Sequence, residues 1–263
     1  MRKFFIFFIA HLITLSAHAE DILIDSDKRL EWYRDEQKIV AIGNAVAKKT
    51  DNTLKGDTLT AFYERVQLED GTQKTQIQKI LADGNVTLIN PKATGTGIHF
   101  EYDLPSQKAT LTGQPAKIVI EQEAPKEQET TENNSPQAPK KEPSASSKSD
   151  TKQNPSYTVY AEKMISFFDE DKQGKQVLNR IEIYAQNKPV KIVNKQATVT
   201  GNRGTYFPKE NKLKLFEKVT INQNGDVLNG DYAETDLKTG ISRLLSTQKK
   251  GRVSGIFHNK KKK

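Results

Sequence analysis

Apolar and polar residues alternate with a period of two along most of this chain. The clearest runs cover 98–102, 212–215 and 219–221, and turn signals such as Asp70-Gly71 and Asn90-Pro91 separate one run from another. Successive side chains of a strand point to opposite faces of its sheet, so the alternation predicts strands with one dry and one wet face. That pattern is typical of antiparallel sheets. We therefore predict an all-β fold.

A dipeptide signature recurs within these runs. The copy at 43–57 begins with Gly-Asn and ends with Gly-Asp, the copy at 84–97 begins the same way, and weaker copies cover 187–202 and 217–231. Repetition on this scale indicates a strand-turn-strand unit stacked several times, because a single hairpin cannot bury its own apolar face. Glycine inside a strand marks a bulge or a bend. We expect these pairs to bend and register strands rather than to perform chemistry.

The composition changes abruptly between residues 123 and 156. This stretch holds five of the ten prolines, and alanine is its only apolar residue. It cannot bury enough surface to offset its conformational entropy, which predicts a disordered insert. Two interpretations remain, a linker between independent domains or an insertion within one β structure. The repeat resumes after the insert, which favours the second.

The amino terminus has the features of a secretory signal peptide. Arg2 and Lys3 precede an apolar run over 4–15, and Ala17-His18-Ala19 provides a cleavage site. The run is shorter than the ~20 residues that span a bilayer as a helix. We predict cleavage after Ala19 and export of a soluble protein, with a retained anchor as the alternative.

These features divide the chain into five segments. The prediction is a signal peptide over 1–19, a first β part over 20–122, the insert over 123–156, a second β part over 157–250 and a basic tail over 251–263.

The formal net charge of +8 is concentrated at the two ends of the chain. The signal peptide carries two basic residues, and the last fifteen residues carry seven with no acidic residue, so the remainder has 32 Lys plus Arg against 33 Asp plus Glu. A nucleic-acid groove requires basic residues spread over a folded surface. We therefore predict no nucleic-acid partner. The Lys-rich end is either a solvated tail or a contact for anionic headgroups.

The residue inventory argues against an enzyme. The chain has no cysteine, and only His99 and His258 remain after the signal peptide, far apart in sequence. Gly95-Thr96-Gly97 lacks the lysine and the helix of a phosphate loop. Asp57 recurs with the repeat, and such a residue more often fixes a turn than transfers protons. We predict no catalytic residue, no metal site and no cofactor.

Several segments together resemble a known family. They are the leading 22–27, then 42–46, 54–57 and 81–86, and near the end 219–221 and 228–233. In these segments the chain is similar to the periplasmic lipopolysaccharide-transport family of LptA and the OstA-like N-terminal domains. The resemblance covers the chain after the signal peptide apart from the insert, which is not part of the family pattern.

The resemblance implies an open β-jellyroll of serial antiparallel strands whose apolar interior carries lipid A. It also implies a periplasmic location, LptC-like inner-membrane and LptD-like outer-membrane partners docked through edge strands, and end-to-end pairing of copies. The inward strand positions expected to contact lipid are Val86, Leu88, Ile98, Phe100, Ile118, Ile120, Val190, Ile192, Leu215, Val219 and Ile221.

Other functions remain open at this point. A closed apolar core would make the chain an exported structural or glycan-binding module. An exported hydrolase would need His99 or Asp57 for catalysis. A membrane-anchored LptC-like protein would have to retain its N-terminal segment, against which the Ala-His-Ala cleavage site argues.

Overall fold

The computed structural model describes residues 22–121, 156–172, 174, 176–239, 241–246 and 252–257, and these form a nearly all-β fold. The predicted all-β fold, a jellyroll-like antiparallel sheet, is confirmed. The signal peptide with its cleavage site and the Lys-rich end lie outside the described residues, as does the insert except for Ser156, the first residue of a strand.

Sixteen strands of the described residues belong to one antiparallel sheet. In chain order they are β1 Leu23–Asp25, β2 Arg29–Tyr33, β3 Lys38–Lys49, β4 Asn52–Gln67, β5 Gln73–Asn90, β6 Ala93–Asp103, β7 Lys108–Glu121, β8 Ser156–Glu170, β9 Gln176–Tyr184, β10 Val190–Val193, β11 Ala197–Gly201, β12 Arg203–Phe207, β13 Lys212–Gln223, β14 Asp226–Asp236, β15 Ser242–Leu245 and β16 Ser254–Ile256. A short 3-10 helix, Pro208–Glu210, connects β12 to β13.

A line of irregularities crosses the sheet at the middle of its long strands. The register shifts between Ile42 and Ala45 on β3, between Asp83 and Val86 on β5, and at matching points of β4, β6, β7 and β13. We call this line the crease. It divides the sheet into half A, with β1, β10, β11 and β16, and half B, with β2, β9, β12 and β15; the long strands contribute one end to each half.

The recurring dipeptides lie on the crease, as expected for residues that bend strands. Gly43 and Asn44 have φ angles of 89° and 43°, and Gly84 and Asn85 have 72° and 46°. These left-handed conformations suit glycine and asparagine better than other residues. Asp57 accepts hydrogen bonds from the Asn85 side-chain amide at 3.0 and 3.1 Å, so its partner is a side chain rather than the turn backbone expected from sequence.

The strands on either side of the predicted insert are neighbours in the sheet. The end of β7 pairs with the start of β8, from Ala116 opposite Ala161 to Glu121 opposite Ser156. The chain therefore returns to the same sheet beside the strand it left. The boundaries of the five segments stay predictions.

The interior of the folded sheet is entirely apolar in the part of the chain described. Most of the buried residues form one cluster drawn from both halves, and none of the buried residues is a polar or charged type. Alanines fill positions next to the crease, among them Ala41, Ala45, Ala82 and Ala116. Small side chains there let the two halves approach each other closely where the strands bend.

The strand β10 lies inside the sheet although a proline stands directly before it. It has β8 on one side and β11 on the other. Pro189 immediately precedes Val190, the first residue of β10. Its missing N–H therefore falls outside the hydrogen-bond ladder, where proline is tolerated.

Candidate functional site

Ten of the eleven positions expected to face inward do contribute to the apolar interior. Eight are buried, and Leu88 and Ile118 are partly buried against the same cluster. Phe100 and Leu215 lie in half B, and the other eight lie in half A. The structure brings these positions together on one face, and their contact with lipid stays a prediction.

Ile98 is the exception, because its side chain is 54% exposed. The bulge at the crease shifts the alternation of β6 by one residue, so the inward position belongs to Gly97. A Cβ atom added at Gly97 would lie 2.7 Å from the Leu111 side chain, on the inner face. The expected inward orientation of Ile98 is therefore wrong.

Sequence reasoning missed most of the inner face of half B. Met164, Ile181, Ile183, Tyr206 and Leu213 are buried there. The alternation of Ile181 and Ile183 with charged neighbours was a usable signal. Around Met164, by contrast, apolar residues occupy both faces of β8, so no alternation reveals which side is inner.

A cavity of about 220 Å³ lies between the two halves, in the part of the sheet formed mainly by the C-terminal strands β10 to β15. Half A contributes Ile192, Val199 and Ile221 to its lining, and half B contributes Leu215 and Leu244. The shared lining shows that the inner faces of the two halves oppose each other. Its polar lining residues include Asn194, Gln196, Gln223 and Ser242.

Apolar side chains are exposed where the inner face reaches the two ends of the sheet. At the N-terminal end, Leu30 and Trp32 are each 58% exposed and pair with the inward positions Ala41 and Ile39. The indole N–H of Trp32 donates to the buried Tyr63 hydroxyl at 2.6 Å, which fixes the indole at this end.

At the opposite end, β16 places Val253 and Phe257 on the inner side, with exposed fractions of 46% and 72%. Phe257, Ile221 and Leu228 line a second cavity of about 280 Å³. The edge strands β1, β2, β15 and β16 each pair with one neighbour only. In the part of the chain that is described, the buried positions of the inner face are therefore apolar, and apolar side chains are exposed at both of its ends.

No charged side chain is buried in the interior of the described residues. Burial raises the pKa of Tyr206, and burial also raises the pKa of Tyr102, whose hydroxyl donates to Gln176. Both hydroxyls therefore stay protonated at neutral pH. No cluster of three or more potential metal ligands occurs among the described residues, and none of their helices is long and apolar enough to cross a bilayer.

The family follows from a direct match. The model of the family described as "LptA/(LptD N-terminal domain) LPS transport protein" matches residues 23–135 and 151–241. The chain belongs to this family. The resemblance noted in the sequence is thereby confirmed, and the family is one of transport proteins rather than of enzymes.

One similar solved structure is LptH from Pseudomonas aeruginosa, described as the LptA-homologous periplasmic component of the conserved lipopolysaccharide transport device. The identity is 13%, the match covers 91% of this chain and 96% of that chain, and the TM-score is 0.24. A comparison with curated protein sequences found no match.

Proposed function

We propose that this member of the lipopolysaccharide-transport family binds lipopolysaccharide in the periplasm and shelters its lipid A acyl chains between half A and half B. It then passes the lipid from the inner towards the outer membrane. The observation that carries the proposal is the inner face, whose buried positions are all apolar among the described residues and which exposes apolar side chains at both ends of the sheet.

Burial of acyl chains supplies the driving force for binding. Each buried methylene group contributes ~0.8 kcal/mol, so a lipid with several chains gains far more than a single side chain would. A closed core serving only stability would not need Leu30, Trp32, Val253 and Phe257 exposed at its ends. These ends favour a conduit over the closed glycan-binding module.

Uptake of lipid requires the two halves to part. The cavity of about 220 Å³ is smaller than the ~300–1,000 Å³ typical of ligand pockets, and a multi-chain lipid needs more space than a drug-sized ligand. The crease is the natural hinge, because its bulges already interrupt the ladder and hold left-handed backbone at 43–44 and 84–85.

The open ends suit partners that continue the conduit. Unpaired backbone groups on β1 and β2 at one end, and on β15 and β16 at the other, can each accept a further strand. We assign these edges to LptC-like and LptD-like partners and to further copies of this chain. Strand addition there would align the apolar inner face of this chain with that of its partner and exclude water from the interface between them.

Tethering the two halves tests the proposal. Gln196 and Ser242 lie on the cavity from opposite halves and are exposed, and the chain has no cysteine of its own. We expect Gln196→Cys/Ser242→Cys to bind lipopolysaccharide before treatment with a short bis-maleimide and to lose most binding after it.

The control pair is Gln196→Cys/Gln223→Cys, which lines the same cavity from half A alone. Crosslinking this pair should leave binding intact, because the halves remain free to part. Undiminished binding by the crosslinked Gln196→Cys/Ser242→Cys protein, whose two halves are tethered across the cavity, would contradict the proposal. Absence of lipopolysaccharide binding by the untreated protein would contradict it as well.

A further inference from the structure

The outer faces of the two halves carry their charges in different ways. On half B, many lysines and arginines pair with carboxylates, as in Lys79–Glu101 at 2.7 Å and Arg180–Glu182 at 2.9 Å, although Lys108 and Lys163 form no ion pair with a described residue. Outer positions of half A carry four lysines, none of which forms an ion pair with a described residue; they are Lys48, Lys55, Lys117 and Lys191. These ammonium groups are available to a partner.

Three of these lysines stand in one uninterrupted row across the strands. Successive registers place in line Lys55, Thr87, Thr96, Lys117, Tyr160, Lys191, Thr200, Thr220 and Asn229. With strands ~4.8 Å apart, Lys117 lies ~14 Å from Lys55 and ~10 Å from Lys191. These separations exceed the ~8 Å Debye length at physiological salt, so the lysines repel one another only weakly.

The rest of the outer face of half A is almost free of charge. The next row consists of Thr53, Ile89, Thr94, Val119, Thr158, Val193, Thr198, Asn222 and Val227. Among the described residues, carboxylates border the face only at its margins, with Asp25 on edge strand β1 and Glu121 at the end of β7.

The crease contributes further carboxylates that are already engaged. Asp57 accepts the Asn85 amide, and Glu162 accepts the backbone N–H groups of Gln186 and Asn187 at 2.5 and 2.6 Å. Asp231 likewise accepts the Ser246 hydroxyl at 2.9 Å. None of them reaches a lysine of the row.

We propose that the outer face of half A binds a linear anionic glycan–peptide polymer, the carboxylate-bearing material of a bacterial cell wall. The row runs perpendicular to the strands, along the line that joins the two open ends of the sheet. A chain polymer lying on it meets three ammonium groups in succession, the first two separated by two threonines and the last two by Tyr160. Threonine hydroxyls and the Asn229 amide follow beyond Lys191, and all these groups can hydrogen-bond to sugars and peptides. The proposal rests on the periplasmic location given above.

A membrane surface fits this face less well. Peripheral binding to lipid combines basic residues with large apolar side chains inserted among the headgroups. Between β4 and β13, two large apolar residues are exposed on this side of the sheet, Ile89 at 39% and, next to the crease, Ile98 at 54%. The face is therefore suited to a hydrated polymer, and its binding should depend strongly on salt because exposed ion pairs are individually weak.

Co-sedimentation with isolated peptidoglycan sacculi tests the proposal. We expect Lys55→Gln/Lys117→Gln/Lys191→Gln to bind sacculi about tenfold more weakly than the unaltered protein at low salt. The matched control is Lys79→Gln/Lys212→Gln/Lys214→Gln, which removes the same charge from lysines that Glu101 and Glu234 already pair. Its sacculus binding should change less than twofold. Thermal unfolding of both variants verifies that they fold.

Two further measurements separate the possible sources of anions. Retained lipopolysaccharide binding by the Lys55/Lys117/Lys191 variant supports the proposal, whereas its loss would assign the row to lipopolysaccharide phosphates and overturn it. Preference for anionic phospholipid vesicles over sacculi would also overturn it, as would no sacculus binding by the unaltered protein. Sacculus binding without any lipopolysaccharide binding would leave this proposal standing and refute the proposed transport function.

Discussion

Gly84 is required by two independent features of its surroundings. Its φ of +72° is left-handed, and a Cβ atom added there would lie 2.2 Å from the Asp57 carboxylate and 3.0 Å from its Cβ. Asp57 has little freedom to withdraw, since it is held by Asn85. The pair Gly84-Asn85 therefore has two roles. It sets the bend of β5, and it positions the Asp57 carboxylate of the neighbouring strand β4.

Gly84→Ala should destabilise the protein more than Gly71→Ala. Gly71 has a similar φ of +80° with nothing within 4 Å of an added Cβ, so its substitution incurs only the backbone strain of about 1–2 kcal/mol. The clash with Asp57 should add about 1 kcal/mol at Gly84. Urea unfolding measures the free energy of unfolding of both variants. In an Asp57→Ala background the clash is absent, so Gly84→Ala should destabilise the protein by about 1 kcal/mol less there. An equal decrease in the free energy of unfolding for Gly84→Ala and Gly71→Ala would contradict this explanation.

At the scale of elements, Glu162 organises the point where β8 changes its neighbour. The strand pairs with β10 through 158–160 and with β9 through 163–170, and Glu162 lies between these segments. Its carboxylate accepts the backbone N–H groups of Gln186 and Asn187, in the connection from β9 to β10. These hydrogen bonds, chiefly the one from the Asn187 N–H, lower the pKa of Glu162 from its usual value of 4.5.

This lowered pKa predicts a specific pH dependence of stability. The carboxylate stabilises the fold above the unfolded-state pKa near 4.5, and the effect is lost as pH falls through the lower folded-state pKa. Glu162→Gln should therefore reduce the melting temperature at pH 7, and its difference from the unaltered protein should shrink below pH 4. The exposed Glu64→Gln serves as the charge control. A difference that is constant across this pH range would refute the role.

The strands themselves were predictable from sequence, and their alignment was not. Period-two alternation identified strands such as β6 and β13, and turn residues marked the chain reversals at 70–71 and 90–91. The exposure of Ile98 was missed because one extra residue at a bulge reverses which side of the strand faces inward. The split of β8 between two neighbours depends on long-range pairing, for which local sequence carries no signal.

The whole molecule combines one apolar interior with two different exteriors. Half B pairs many of its outer lysines and arginines with carboxylates, whereas the lysines in the row of half A have no ion-pair partner among the described residues and their neighbours in the row are uncharged. Exposed ion pairs contribute little to stability, so the contrast is better explained by what each face meets than by folding. In the two proposals, the interior is the surface for a lipid and the outer face of half A the surface for a hydrated polymer.

Position-specific photo-crosslinking in intact cells tests the central claim, that lipid lies between the two halves. A photoreactive amino acid would replace Phe100 on the inner face of half B, Ile118 on the inner face of half A, or Ile98 two residues from Phe100 on the same strand but exposed outside. The account predicts lipopolysaccharide adducts from positions 100 and 118 and none from position 98. Adducts from position 98 alone, or none from either inner position, would contradict it.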